Sequence, residues 1–396
     1  MSKINDLIKE LCPDGVIYKS LGSFCDIKTG AGVTKKDIVE NGKYKIISGG
    51  IVPMGMCDKT NRNGNTVTIA RAGTAGFVNY IKDDFYLNDK CFSVIPKEEK
   101  IIDNKYLYYS LSNIQNKIYE LKSSGTVPTV NTEKVSKIVI PIPPIEIQEE
   151  IVRILDKFGE LEAELEAELE ARKSQYEFWR GKIFDIKGET KTYKLEEVLK
   201  SLKTGLNPRK FFRLNTEDAD GYYVTVREIG DRNVRYWESK DRVNRDGLLR
   251  INERANLEIG DVLFSGTGTI GRVSLIEETP DNWNVKEGVY ILKPKKEIIN
   301  PVYLMHLMRS DYMKKLYSDY IVGSPVSSVP MRDLKNVEFE LPDLETQERI
   351  SNILDKFDKL INDITVGLPA EIELRRKQYE YYRNKLLSFE ELSVSE

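Results

Sequence analysis

Residues 145–187 read IEIQEEIVRILDKFGELEAELEAELEARKSQYEFWRGKIFDIK, and this stretch limits the chain most. Ile151, Ile154, Phe158, Leu161 and Leu165 follow a three-four-three-four spacing, which places one apolar stripe on one helix face. The stripe runs on through Leu169, Tyr176, Trp179 and Ile183. Leu161, Leu165 and Leu169 are two successive steps of four, which relaxes a left-handed seam as a stutter does. Only Gly159 and Gly181 interrupt the run, and it contains no proline. About 40 residues at ~1.5 Å each predict a rod of ~60 Å.

A rod with a stripe needs a partner, and the chain supplies one. Gln148, Ile151, Ile154, Leu155, Asp156, Lys157 and Phe158 recur 199 residues later as Gln347, Ile350, Ile353, Leu354, Asp355, Lys356 and Phe357. Arg172, Lys173, Gln175, Tyr176 and Glu177 are answered by Arg375, Arg376, Gln378, Tyr379 and Glu380 at a separation of 203. The second copy therefore carries four extra residues, centred on Gly367-Leu368-Pro369, where proline predicts a break. Such a repeat makes two unrelated charged helices a poor account. The stripe from Ile151 to Ile183 is expected to pack mainly on this distal arm.

The segments between the arms repeat as well. After a short amphipathic helix with Ile4, Leu7, Ile8 and Leu11, a globule over 18–142 shows strand-like runs at 44–47, 66–70, 77–81, 91–95 and 137–142, with a helix over 104–121. A second globule over 191–342 repeats the plan. Lys28-Thr29-Gly30 matches Lys203-Thr204-Gly205, and the turn 71–78 matches 266–273. A helix over 302–317 and a strand over 337–341 lead into the second arm. Between these anchors the two globules differ almost completely, as two readers of different targets would. The expected fold is α+β, with an internal pseudo-two-fold repeat: two globular α/β domains over 1–144 and 188–342, joined by long antiparallel helices over 145–187 and 343–396 that form a coiled-coil spacer.

Charge follows the same division. The arms carry net −5 and −4, whereas residues 1–144 carry +5 and 188–342 carry +1. Relatively basic globules on acidic spacers fit a nucleic-acid binder. No apolar run reaches the ~18 residues of a membrane span, and the first residues lack the apolar core of a signal peptide, so a cytoplasmic protein is expected. Cys12, Cys25, Cys57 and Cys91 lack CxxC spacing and read as reduced thiols.

Catalytic motifs fail one by one. Gly266-x-Gly268-x-x-Gly271 follows a strand but precedes β-like residues instead of a helix, so it reads as a tight turn and not a dinucleotide site. Pro13-Asp14 with Asp26-Ile27-Lys28 fits a loose nuclease pattern, but Ser201 stands where the second copy needs the carboxylate. There is no P-loop and no adenine-methyltransferase tetrapeptide. His306, the one histidine, falls in an apolar helix and is expected to pack there. No catalytic residue and no metal ligand set is expected.

Binding chemistry remains. Lys35, Lys36, Lys43, Lys45, Lys59, Arg62 and Arg71 are interleaved with Tyr44, Asn61, Asn63 and Asn65 in the first globule. In the second, Lys203, Arg209, Lys210, Arg213, Arg227, Arg232, Arg235, Arg242, Arg245 and Arg272 accompany Asn207, Asn233, Tyr236 and Trp237. Cations neutralise phosphates, and Arg and Asn can pair with base edges, so these are the candidate DNA contacts, with 227–254 the strongest stretch.

Nearly the whole chain resembles the specificity subunit of type I restriction–modification systems. The resemblance rests on Arg71-Ala-Gly-Thr-Ala-Gly-Phe-Val with Leu87-Asn88-Asp89, and on Pro141-x-Pro143-Pro144 with Gln148-Glu149-x-Ile151. It also rests on the two Ile-Leu-Asp-Lys-Phe blocks and on the repeated Gln-Tyr-Glu segments. The resemblance implies a non-catalytic subunit that reads a bipartite, asymmetric site in double-stranded DNA. It implies two methylation subunits that bind S-adenosylmethionine and two restriction subunits that use ATP and magnesium. On this reading Tyr176, Trp179, Tyr379 and Tyr382 are candidate contacts for the methylation subunits. Two other readings stay open: the recognition subunit of a related nuclease–methyltransferase that cuts on both sides of its site, and a stand-alone sequence-specific DNA-binding protein.

Overall fold

A computed structural model describes residues 2–98, 100–124, 127–184, 190–230, 232–363 and 365–392; the side chains of residues 2, 35, 209 and 210 lie outside this description. Two compact units emerge, one of Met1–Glu166 with Glu371–Glu396, the other of Ala167–Ala370. Each holds one globule, part of the central helix Ile145–Lys182 and part of the distal arm.

In the first unit, β1 (Ile17–Ser20) pairs antiparallel with the globule's last strand, Val139–Ile142, so the chain enters and leaves the globule side by side. Between them, β2 (Cys25–Thr29), β3 (Tyr44–Ile47), β4 (Gly55–Cys57), β5 (Thr66–Ala70), β6 (Val78–Ile81), β7 (Phe85–Leu87) and β8 (Cys91–Pro96) make two sheets. One is antiparallel, in the order β2-β8-β5-β6; the other is β4-β3-β7, with β3 and β7 parallel. Every residue of β5 is buried, because Val67 and Ile69 meet Phe92, Val94 and the helix Asn104–Asn113 through Tyr106 and Leu107. The helix predicted over 104–121 is two helices, Asn104–Asn113 and Gln115–Glu120, meeting at Ile114.

The second unit repeats this plan strand for strand. After β9 (Val139–Ile142) of the first unit come β10 (Lys191–Lys194), β11 (Leu199–Thr204), β12 (Gly221–Val224), β13 (Arg242–Val243), β14 (Val262–Ser265), β15 (Val273–Leu275), β16 (Trp283–Val285), β17 (Val289–Pro294) and β18 (Glu338–Leu341). β10 pairs with β18, the large sheet runs β11-β17-β14-β15, and the small one runs β13-β12-β16 with β12 and β16 parallel.

The repeated glutamines show why the sequence repeats. Gln148 Oε1 accepts the Asp103 backbone N–H at 2.9 Å, and its Nε2 donates to the carbonyls of Ile101 and Pro143 at 3.0 and 2.8 Å. Gln347 does the same with Asn300 N–H at 2.9 Å and the carbonyls of Ile298 and Pro342 at 3.0 and 2.9 Å. Both side chains are fully buried, so each satisfies three backbone groups that water cannot reach. Asp156 likewise accepts from Lys105 at 2.5 Å and Tyr109 at 2.6 Å, tying its helix to the globule.

The central helix is continuous over 38 residues, so its two steps of four do not break it. The distal arm is two helices, Leu344–Asn362 and Leu368–Leu386, with the break at the predicted place. Pro369 falls in the first turn of the second helix, where its missing N–H costs nothing. The stripe meets the distal arm at Phe158 and Tyr176, but at its start, Ile151, it enters the first globule's core. Ile147, Ile151 and Leu155 are fully buried in the first globule's core among Leu21, Tyr106 and Ile140, joined by Leu386 and Leu387 of the distal arm. Farther along, Phe158 lies between Tyr379 and Tyr382, at 6.3 and 5.5 Å, and Arg376 pairs with Glu162 and Glu166, each at 2.6 Å. Rising numbers on one helix meet falling numbers on the other, so the helices are antiparallel in this unit. In the second unit Tyr176 meets Phe357 at 6.2 Å within a core that includes Ile350, Leu354 and Ile361.

Candidate nucleic-acid interface

Each unit gathers two loops around one hairpin turn. In the first unit the β5–β6 hairpin turns through Gly73 and Gly76, at φ 81° and 88°. In the second, the β14–β15 hairpin turns through Gly268 and Gly271, at φ 79° and 88°. The glycine pattern is therefore a left-handed turn between antiparallel strands, with no helix N-terminus to hold a phosphate.

The loop after β3 docks on the first turn: Thr74 donates from both its backbone N–H and its hydroxyl to the Gly49 carbonyl, each at 2.7 Å. On the other side, Val130 N–H donates to the Arg71 carbonyl at 2.9 Å and Ala72 bridges Thr129. In the second unit the loop after β12 meets the turn through Arg272, whose Nη1 donates to the carbonyls of Val226, Arg227 and Ile229 at 3.2–3.4 Å. The other flank is Gly268 N–H to the Ser327 carbonyl at 2.8 Å, with Thr267 bridging Ser328.

The structure sorts the candidate cations. Lys43, Lys59 and Arg71 are exposed, and Lys36 and Lys59 line one shallow pocket with Asp37, Asp58 and Tyr86. Lys43 lies 5.1 Å from the centre of the Tyr44 ring. Lys203 is exposed on β11. Arg227 is exposed and within 3.3 Å of Asp241, Arg235 pairs with Glu238 at 3.4 Å, and Arg242 stacks 3.7 Å from the Tyr222 ring. Lys35, Arg209 and Lys210 have side chains outside the described residues.

Three of the candidate arginines make several bonds within the protein. Arg62 is engaged internally: Nε donates to Ser93 Oγ at 2.8 Å, Nη1 to the Asn61 carbonyl at 2.7 Å and Nη2 to the Thr29 carbonyl at 3.1 Å. Arg232 pairs with Glu277 at 2.8 Å and with Asp355 of the distal arm. Arg272, though exposed, also holds three carbonyls of the neighbouring loop through Nη1. Arg62 and Arg232, with their donors so used, have few left for a base edge or phosphate, whereas Arg272 is exposed and makes these bonds through Nη1 alone.

The aromatic candidates divide as well. Tyr176 is buried in the second unit's core, and Tyr379 and Tyr382 are half-buried around Phe158, so these three close the helix packing and offer little free surface. Trp179 remains exposed, edge-on to exposed Phe178 at 5.7 Å, and Tyr381 is exposed beside Tyr382. Phe178 and Tyr381 were missed because a seam reading counts only stripe positions.

Apolar side chains that residue type alone does not single out are exposed beside the candidate cations. Ile51, Val52 and Met54 project from the loop after β3, and Val52 is 74% exposed. Trp237 is 54% exposed, edge-on to Tyr236, which itself stacks on buried Trp283 at 5.5 Å. Among the described residues no cluster of three His, Cys, Asp or Glu is arranged to hold a metal ion, and no helix is long and apolar enough to cross a membrane. Asp26 and Lys28 form a surface pair at 3.1 Å.

The Arg232–Asp355 pair extends to His306, whose Nε2 lies 2.8 Å from Asp355 and whose Nδ1 has no partner among the described residues. Burial lowers the His306 pKa, against the pull of Asp355, so the ring is neutral and donates its Nε2–H. Burial also opposes the Asp355 charge, but the bonds from His306 and Arg232 prevail and hold the carboxyl below its usual range. The folded state therefore binds fewer protons at His306 than the unfolded chain does. Stability is full above about pH 6.5 and declines as pH falls below it. The Asp355 contribution survives to lower pH and is lost only below the ordinary carboxylate range. As the sequence has one histidine, thermal midpoints measured from pH 7.5 to 5.5 should drop in the native protein and change less in His306→Leu. Parallel slopes would refute the assignment.

A profile for the type I restriction modification DNA specificity domain matches twice, over residues 13–171 and 187–374. The chain is 31% identical to a putative type I restriction enzyme specificity subunit of Haemophilus influenzae, over 82% of this chain and 83% of that one. It is 32% identical to the specificity subunit of the EcoR124I/EcoR124II type I restriction enzyme of Escherichia coli, over 72% and 70%. A solved chain from work on assembly of the type I restriction–modification system shares the fold, with TM-score 0.62 and 16% identity over 95% of this chain and 98% of that one. Two profile copies, one on each globule with its helical arm, place this chain in the type I restriction–modification DNA specificity family.

Proposed function

We propose that this chain reads a bipartite, asymmetric site in double-stranded DNA, one half by each unit's loop cluster, with the helices setting the unspecified spacer. The observation that carries this is the repetition of one scaffold with different chemistry at the same place. The loop after β3 is short and apolar, whereas the loop after β12 is long and bears Arg227, Arg235 and Trp237. Equal scaffolds with unequal tips would read unequal half-sites. The chain itself supplies no catalytic group. Two methylation subunits would bring S-adenosylmethionine and methylate adenine, and two restriction subunits would bring ATP and magnesium, in the cytoplasm. Exposed Phe178, Trp179 and Tyr381 offer such partners apolar anchors.

The test is methylation mapping of DNA from cells expressing this chain with the neighbouring methylation gene. A bipartite adenine motif that appears with this chain and disappears without it is the expected result. A soluble complex that produces no motif would overturn the reading.

A further inference from the structure

We propose that the tip Ile51-Val52-Pro53-Met54 is an apolar wedge that enters a base step of the half-site held by the first unit, unstacking and bending the duplex there. The inference rests on the DNA-reading function above and adds to it how one half-site is engaged.

The tip is unusual for what it exposes. Ile51, Val52 and Met54 are 64%, 74% and 48% accessible, in a loop that could have been polar at no cost to the core. Scattered single apolar residues are ordinary, but three on one protruding loop form a contact surface. The loop is held at both ends. Met54 N–H donates to the Ile46 carbonyl at 2.8 Å, Thr74 holds the Gly49 carbonyl, and Cys91 Sγ donates to the Ser48 carbonyl at 2.9 Å. A tip fixed in this way loses little entropy on insertion.

Charge identifies the occupant. Residues 43–57 contain no acid. Lys43 and Lys45 are exposed on the strand side of the same hairpin, Lys59 follows β4, and Arg71 projects from the turn to which the tip is bonded. Asp58, the nearest acid on the hairpin, lies at its far end and accepts the Lys43 N–H at 3.3 Å. Lys43 is four residues from the end of β3, about 13 Å along a strand, a reach that spans neighbouring phosphates. Cations on the flanks with aliphatic residues and proline at the tip are the chemistry of side chains that unstack bases. The step entered should be the easily unstacked pyrimidine–purine kind. In the second unit the matching loop presents Trp237 among arginines instead, so the two halves would be held differently.

The experiment uses the complex with its methylation subunits and the mapped site, with 2-aminopurine placed at each purine position in turn. Methylated adenines leave the stack and brighten in any case. One further purine, at a pyrimidine–purine step, should brighten several-fold, and only with Ile51 and Val52 intact. The Ile51→Ser, Val52→Ser double variant changes only exposed side chains. It should lose that signal, keep the signal at the methylated adenines, and bind roughly tenfold more weakly, the size of one interface anchor. Brightening confined to methylated adenines, or persisting in the double variant, would overturn the wedge while leaving the DNA-reading function intact. If the double variant binds DNA normally but fails to assemble with the methylation subunits, the tip is a protein contact and the proposal falls. If mapping finds no site, both readings fall together.

Discussion

Duplicating Ala163-Glu164-Leu165-Glu166 after Glu166, with four helix-forming residues added after Ala370, should lengthen the spacer of the recognised site by roughly two base pairs and leave both half-sites unchanged. Four residues add ~6 Å to a helix and turn it ~40° beyond a full revolution. The chain passes from one compact unit to the other at Glu166–Ala167 and again at Ala370–Glu371. Additions at those two points leave the packing within each unit untouched. Phe158 with Tyr379 and Tyr382, and Arg376 with Glu162 and Glu166, lie wholly in the first unit. Tyr176 with Phe357 lies wholly in the second. On the proposed reading, base contacts belong to the loop clusters, which the insertion does not reach. Methylation mapping with the native and lengthened chains reads the result directly. An unchanged spacer would show that the helices are not the ruler, and an altered half-site would show that the arms take part in reading bases.

The largest loss of stability should come from Gly205→Ala. A Cβ built on Gly205 would stand 1.7 Å from the Val285 carbonyl oxygen and 2.6 Å from its carbon. Val285 cannot retreat: it is fully buried on β16, paired in parallel with Val224, and the next residues Leu206 and Lys286 are bridged. The cost should be about 3–4 kcal/mol, at the upper end for a single substitution. Gly30→Ala repeats the collision in the first unit, with Cβ 2.2 Å from the Leu87 oxygen and 2.3 Å from that of Asn88. Gly159→Ala is the control: no atom of the described residues lies within 4 Å of its Cβ, and it sits inside a helix, so it should gain about 1 kcal/mol. Thermal unfolding of the three variants decides the matter. A Gly205→Ala protein that melts like the native one would mean that the strand spacing at β16 is wrong.

These two glycines show how far sequence reasoning reaches. Lys28-Thr29-Gly30 and Lys203-Thr204-Gly205 are visible as matched anchors without any structure, as are Gln148 with Gln347 and Asp156 with Asp355. The repeat reveals the duplicated plan, the helical stripe and the break at Gly367-Leu368-Pro369, because periodicity, proline and internal identity are local properties of the chain. What each anchor does is long-range. Gln148 satisfies backbone groups 45 and 47 residues away, and Gly30 must lie against β7, facts that no spacing encodes.

The same division explains the candidate interface. Composition picks out arginines and lysines but cannot distinguish one that faces solvent from one that faces carbonyls. Arg71 and Arg62 look alike in sequence; the first lies exposed on a hairpin turn, while the second binds Ser93, Asn61 and Thr29. Arg232 and Tyr176 were likewise drawn inward, by an acid on the distal arm and by Phe357. The apolar tip at Ile51–Met54 escaped notice for the converse reason, since a short aliphatic run reads as core until its neighbours are known. The sequence alone determined the duplicated architecture and the absence of recognisable catalytic motifs. Tertiary structure alone decided which cations and which apolar side chains are left free to meet a partner, because burial and hydrogen-bond satisfaction depend on residues far away along the chain.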